Sequence, residues 1–322
     1  VSFITTDIAA AAQLLRDGEL VGMPTETVYG LAANAYSEAA VAKVFAAKQR
    51  PLYNPLIVHI GAKAQLAKVA LRIPAQAQIL INKFWPGPLT LVLPKHDSIS
   101  NLVTSNNTTV AVRMPKHAMA QQLLQQLDFP LVAPSANPFN YISPSTATHV
   151  LEMLGNKIAC VLDGGPCETG IESTIVGFDA NDEAVLYRHG SISIEDIAAC
   201  IGHITDSTTN TKASQAPQAP GMLEKHYSPH TKLVIVDDFA KAIQQYAGQK
   251  IVLMPLQSIA DLPAHIIQMP LSDTGNLQDI ASNLYSTMHA LDKMGADIIL
   301  AAYAPNTGIG KAINDKLRKA GA

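Results

Sequence analysis

Apolar residues follow two different periods along this chain. Short runs such as LVGMPT (20–25), PLIVHI (55–60), LTLVL (89–93), TVAVRM (109–114) and PLVAPS (130–135) are bounded by Pro, Gly or Asn, which predicts strands. Between them the spacing changes. In SEAAVAKVFAAK (37–48), Val41, Val44, Phe45 and Lys48 recur at helical spacing. DIAAAAQLLRDG (7–18) reads as a helix with Asp7 as its cap and Gly18 as its stop. AQAQILINKFW (75–85) is a helix ended by Pro-Gly-Pro, and AMAQQLLQQLD (118–128) is another. CVLDGG (160–165) and ESTIVGF (172–178) are strands around a Gly-rich turn; EAVLYRHG (183–190) is a further strand and SIEDIAACIG (193–202) a helix.

The pattern stops at residue 204. ITDSTTNTKASQAPQAP (204–220) has no apolar period and is rich in Ser, Thr, Gln, Ala and Pro, the composition of a linker. GMLEKHYSPHT (221–231) is too specific for spacer alone. From residue 232 a second alternation begins: strands KLVIVD, KIVLMPL and DIILAAY between helices FAKAIQQYAG, LQDIASNLYSTMHALDKMG and GKAINDKLRKAG. That order predicts a small α/β unit with a parallel sheet. The expected organisation is therefore a domain over 1–203, a linker or lid over 204–231, and a second domain over 232–322.

Composition narrows the class. With 322 residues, 48% of them hydrophobic, the chain can bury two cores. It has no run of 18 apolar residues and no signal-type start, so stable membrane association and secretion are not expected. Cys160, Cys167 and Cys200 form no C-x-x-C pair, which fits a reduced, cytoplasmic location. The net charge of −3 is unevenly spread: residues 48–116 hold nine Lys and Arg against Asp97, a local +8. Such a segment in an acidic chain points to a local anion site.

Candidate chemistry lies in the loops. Lys48 and Arg50 precede Pro51, where they complement a helix C-terminus or clamp a phosphate. PTETVYGLAANA (24–35) sets polar groups at a strand end, as a ligand loop or as a capped helix start. APSANPFNYISPS (133–145) places Ser135 and Asn137 between prolines, the residue types of any rigid turn. LDGGPCETGIESTIVGF (162–178) can present backbone N–H groups to an anion; Cys167 there reads as a structural thiol. NTGIGKAI lacks the first glycine and the Ser/Thr of a phosphate loop, and no dinucleotide fingerprint or H-E-x-x-H is present. No dedicated metal site is expected.

The order of these motifs is more specific than any one of them. PTETVYGLAANA, KQRP…NPLIVHI, FWPGPLTLVL, VAVRMP, APSAN…SPST, LDGG…GIESTIV, LYRHGSI and APGMLEKHYSPHTKL together resemble the YrdC-type L-threonylcarbamoyladenylate synthase family in its long, two-domain form. The resemblance spans essentially the whole chain. It implies an N-terminal YrdC-like twisted mixed sheet with helices and a smaller C-terminal Rossmann-like α/β domain. It implies a nucleotidyltransferase that joins L-threonine, bicarbonate and ATP into threonylcarbamoyl-AMP, releases pyrophosphate and serves the threonylcarbamoyl modification of tRNA through separate transferase partners. Magnesium would be carried by the nucleotide.

By the same resemblance, Lys48, Arg50, Ser135 and Asn137 form the catalytic set. Arg50, Asn54, Thr109, Ser135, Ser143, Arg188 and His226 would meet ATP, with Tyr227 as a weaker candidate. Thr27, His59, Arg113, Ala133 and Ser173 would hold threonine. Lys48 and Arg50 suit phosphates, and Arg113 suits a carboxylate bidentately. Prolines and Gly221 in APGMLEKHYSP suit a cover over a product labile to water. Two other classes compete: a non-catalytic RNA-binding module built on the basic 48–116 segment, which lacks interleaved aromatics for base stacking, and a nucleotide sensor without turnover.

Overall fold

The computed structural model describes residues 2–208, 217–222 and 224–322. Residues 209–216 of the linker expected at 204–220 lie outside the described residues; Thr205–Asp206 pairs with the strand before it.

Eleven strands make the first sheet: β1 (Phe3–Thr5), β2 (Val21–Met23), β3 (Gly30–Asn34), β4 (Ile57–His59), β5 (Leu89–Pro94), β6 (Thr109–Arg113), β7 (Leu131–Val132), β8 (Cys160–Leu162), β9 (Thr174–Phe178), β10 (Ala184–Arg188) and β11 (Thr205–Asp206). Their spatial order is β1-β8-β2-β3-β7-β4-β6-β5-β9-β10-β11, with parallel and antiparallel neighbours mixed. PTETVYGLAANA is neither all loop nor a helix start: it ends in β3, pairing antiparallel with β2 through Met23 and Gly30. The alanines of β3 masked its strand character, because burial rather than β-branching holds them there. The second sheet, β12 (Lys232–Ile235), β13 (Ile251–Met254), β14 (Ile267–Gln268) and β15 (Ile298–Ala301), is wholly parallel in the order β12-β15-β13-β14.

Alternation along the strands divides the first sheet into two faces. Val58, Leu91, Val110, Val112 and Val176 point into the main core, which the Glu38–Lys48, Ala75–Phe84, Ala147–Leu154 and Ile194–Ile201 helices cover. Part of the other face lies under the Ile8–Arg16 and Ala118–Gln125 helices. The rest of that face, Ile57, Val92, Ala111 and Ile175, packs against Ala219 and Met222 of the connecting segment. A loop therefore covers sheet surface that a helix covers elsewhere, and it does so where the polar candidates lie.

The second domain reaches the first through the Leu277–Asp292 helix and the Gly310–Ala320 helix. Val28, Ile142, Ile171 and Tyr227 share a buried cluster with Leu284, Tyr285 and Met288. Gly170, at φ +73°, lies so close that an added Cβ would meet the Ser282 backbone at 2.4–2.5 Å. No helix among the described residues is long and apolar enough to cross a membrane.

Gly170 and Gly165 share a left-handed backbone, but a Cβ on Gly165 meets nothing within 4 Å. Gly165→Ala should cost about 1 kcal/mol for the conformation alone, roughly 2–4 °C in unfolding temperature. Gly170→Ala must also push the two domains apart and should lose clearly more. Differential scanning calorimetry of the two variants checks the contact, and equal losses would refute it.

Candidate active site

The site begins at the end of a helix. Ser37 caps the Glu38–Lys48 helix by accepting from the Ala40 N–H, and Gln49, in the left-handed region at φ 54°, ends it. Lys48 is only 1% exposed. Its ammonium donates to the carbonyls of Ser135 and Asn137, the latter at 2.6 Å. Burial, with the Arg50 charge beside it, pushes its pKa well below the usual lysine range. The two motifs are thus one object: a buried cation fixes the loop that carries Ser135 and Asn137. The Asn137 side chain turns back to donate to Pro138 and Tyr141 carbonyls.

Arg50 follows the left-handed turn. Its Nε donates to Asn54 O at 3.0 Å, and Nη2 donates to Asn54 Oδ1 and Pro55 O at 2.7 Å each. Asn54 therefore holds Arg50. Burial lowers the Arg50 pKa to about 9, with Arg188 adding to the effect, so the guanidinium stays charged at neutral pH.

His59 and Arg113 are register partners on the parallel strands β4 and β6. Arg113 Nη1 donates to Thr27 Oγ1 at 2.8 Å, and Nη2 pairs with Glu26 at 2.7 Å. Thr27 is fixed by a turn in which its N–H donates to Thr25 Oγ1. His59 lies 3.3 Å from the Ile57 carbonyl through Nδ1, which assigns the proton to that nitrogen. Burial, then the Arg113 charge, lowers its pKa to about 3.

Arg188 ends β10 beside a register shift that re-aims it. It donates from Nε and Nη2 to Ser173 O at 3.1 and 3.0 Å, and from Nη2 to Ser173 Oγ at 3.0 Å. Its Nη1 donates to Pro220 O at 3.4 Å, where the connecting segment crosses.

These groups enclose one cavity of about 40 Å³. Among the predicted residues, Thr27, Arg50, His59, Arg113, Ala133, Ser135, Ser173, Arg188 and His226 line it, and Tyr227 does too. Lys48, Asn54, Asn137 and Ser143 stand one bond behind the lining. Ser143 Oγ donates to Glu172 at 2.7 Å, and Glu172 itself lines the cavity. Thr109, at the start of β6, is not in the lining. The site gathers at strand ends, with His59, Arg113 and Arg188 closing β4, β6 and β10 and Ala133 following β7, and the connecting segment crosses it from the adjoining sheet face. Sequence reasoning missed Glu172, whose second oxygen accepts from Tyr285 of the other domain at 2.7 Å. Its signal was a carboxylate inside an otherwise apolar and hydroxyl-bearing GIESTIV run.

The lining brings three guanidiniums to one small space with one carboxylate, so the space is built for anions. Among the described residues, no group of three His, Cys, Asp or Glu is placed to hold a metal ion.

Comparison with known proteins finds likeness over both domains. A family profile of the Sua5/YciO/YrdC type, described as "Telomere recombination", matches residues 13–190. A second, described as "Threonylcarbamoyl-AMP synthase, C-terminal domain", matches residues 192–322. A curated relative from Pyrococcus abyssi, named threonylcarbamoyl-AMP synthase, is 40% identical, covering 97% of this chain and 93% of its own length. One of the same name from Bacillus subtilis is also 40% identical, covering 97% and 92%. The crystal structure of P. abyssi Sua5 complexed with L-threonine aligns with a TM-score of 0.91 at 37% identity, over all of this chain and 97% of that one.

Because His59 is held neutral by burial, it binds fewer protons folded than unfolded between its ordinary value of 6.5 and about 3. Its contribution to stability is complete above pH 6.5 and is lost as pH falls toward 3. Urea unfolding at pH 7 and pH 5 should show lower stability at pH 5, with a slope of at most about 1.4 kcal/mol per pH unit from this histidine. His59→Gln should shallow that slope; an unchanged slope would place the ring in water.

Proposed function

The chain belongs to the Sua5/YciO/YrdC family in its two-domain form, and from that premise we infer that it is a threonylcarbamoyl-AMP synthase. It joins L-threonine, bicarbonate and ATP, releases pyrophosphate, and makes the activated group for N6-threonylcarbamoyladenosine modification of tRNA. Transfer onto tRNA is left to separate proteins, and we place the enzyme in the cytoplasm. Residues 1–203 are read as the catalytic domain, 204–231 as linker and lid, and 232–322 as the second domain.

The observation that carries this reading is the convergence of Arg50, Arg113 and Arg188 with Thr27, His59 and Ser173 in one closed cavity. Arg113, Thr27, His59, Ser173 and the Ala133 backbone would hold threonine, with the guanidinium on its carboxylate. Neutral His59 adds no third charge there. Arg50, Arg188, Ser135 and His226 would face the nucleotide, with Ser143, Asn54 and Thr109 in support. Lys48 and Asn137 act by shaping the Ser135 loop, since the Lys48 ammonium already donates to two carbonyls.

The chemistry then balances without a protein nucleophile. Threonine's ammonium and bicarbonate give a carbamate, one water and one proton. A carbamate oxygen attacks the α-phosphorus of ATP, and the bond to the β-phosphate oxygen breaks, so pyrophosphate leaves with its electron pair. Three anionic groups meet at that moment, and fixed guanidiniums stabilise the charge without reorganising. Magnesium enters on the nucleotide oxygens, as part of the substrate.

A cavity of about 40 Å³ has room for a few water molecules, far less than ATP needs. Pro220, Gly221, His226 and Tyr227 line it. Substrate entry therefore requires the 217–231 segment to lift, and the labile product requires it to return.

The test is pyrophosphate release from ATP, with threonine and bicarbonate omitted in turn; each omission should abolish it. Arg50→Ala should lower the rate by about 100-fold or more while circular dichroism stays native. A near-normal rate in that variant would remove Arg50 from the phosphate site.

A further inference from the structure

We propose that the second domain anchors the lid, and that Lys319 on its last helix is the positioning residue that holds the lid over the cavity. The proposal rests on the reading of residues 217–231 as a lid.

Lys319 meets both ends of the lid turn. Its Nζ donates to Gly221 O at 2.7 Å, and its backbone carbonyl accepts from the His226 N–H at 3.2 Å. Gly221 and His226 both line the cavity. One buried residue of the second domain thus holds both Gly221 and His226. Asp315, one turn earlier, holds the same ammonium at 2.8 Å. Burial pushes the Asp315 carboxyl up, but Lys316 and Lys319 beside it bring it down to about 2, so it is an anion whenever the enzyme works.

Lys316 extends the clamp. Its Nζ donates to His189 O at 2.6 Å, next to Arg188, and stands 5.7 Å from the centre of the Tyr227 ring. Tyr227 stacks on Tyr285 of the second domain at 5.6 Å. The Gly310–Ala320 helix is therefore tied to the end of β10 and to the lid at once.

Packing on the far side of the turn is sparse among the described residues. Met222, Glu224 and Lys319 border an open cavity of about 790 Å³. Gly221 itself sits at φ +85°, where a Cβ would meet Arg188 Cδ at 2.8 Å. The turn is pressed onto Arg188 from one side, and Lys319 supplies the polar restraint from the other.

The consequence is asymmetric. Threonine's proposed partners, Thr27, His59, Arg113 and Ser173, belong to the first domain. The nucleotide's include His226 in the lid and Arg188 beneath it. Loosening the latch should weaken ATP far more than threonine.

Lys319→Met tests this in the full-length enzyme. The KM for ATP in pyrophosphate release should rise about tenfold or more, the scale of one charge-assisted hydrogen bond. Threonine binding without ATP, followed by calorimetry, should be unchanged. Protease cleavage within 205–230 in the presence of ATP and threonine should speed up. Lys319→Arg keeps a donor and should recover most of the ATP affinity. An unchanged KM for ATP with unchanged protease protection would overturn the latch. So would equal losses of threonine and ATP binding with a lowered unfolding temperature, which mark a merely structural role. If Lys319→Met does not fold, Lys319→Gln is read the same way. A wild-type enzyme that releases no pyrophosphate with threonine would sink the parent reading instead.

Discussion

Three guanidiniums share one buried cavity, and much of the site's architecture answers that constraint. Arg50, Arg113 and Arg188 are each nearly sealed from water. Removing an ion from water costs several kcal/mol even after relaxation, so each needs dense compensation. The chain supplies it mostly with neutral dipoles. Arg50 is held by the Asn54 side chain and two carbonyls, and Arg188 by Ser173 and Pro220. Among the described residues, Arg113 is the one of the three paired with a carboxylate, Glu26. Neutral acceptors fix the cations without cancelling them, and the positive potential is left for the substrate. A site built from ion pairs would be as ordered but would offer an incoming phosphate much less.

That division was half visible in the sequence. The Lys48–Arg50 pair, the APSAN turn and the GIESTIV run were legible as candidates, and their order identified the family. Their roles were less so. The period that marked the Glu38–Lys48 helix placed Lys48 on the same stripe as Val41, Val44 and Phe45, which is the inward face. The spacing thus already argued that Lys48 points into the core rather than at a ligand, but its charge drew the reading outward. Asn54 is similar: the family resemblance implies a nucleotide contact for it, and its side-chain oxygen accepts from Arg50.

What the sequence concealed lies mainly between the domains. Glu172 bridges Ser143 and Tyr285, residues separated by half the chain, and no local period announces that. Lys316 and Lys319 lie on the buried stripe of a helix with Ile313 and Leu317. A pattern of apolar and polar positions treats such lysines as solvated. Only tertiary contacts show that their stems are buried while their ammonium groups reach carbonyls of the first domain and of the connecting segment. Those contacts also tie the second domain to the segment that lines the cavity.

The strength of the closure has to fall within limits. On the proposed reading, the segment over the cavity must lift in every cycle, so the contacts that hold it must be reversible. It must also stay shut long enough to keep water from the adenylate. A charge-assisted hydrogen bond contributes about 1.5–3 kcal/mol, which biases an open–closed equilibrium by roughly 10- to 150-fold. That leaves an open population on the order of one per cent to a tenth, reachable on the microsecond-to-millisecond scale of loop motion. Ala219 and Met222 add apolar contacts on the sheet face, Tyr227 is buried against the second domain, and Gly221 adds a conformation without side-chain burial. On the proposed reading, the polar bonds to the second domain add to these apolar contacts a restraint that can break and reform in each turnover.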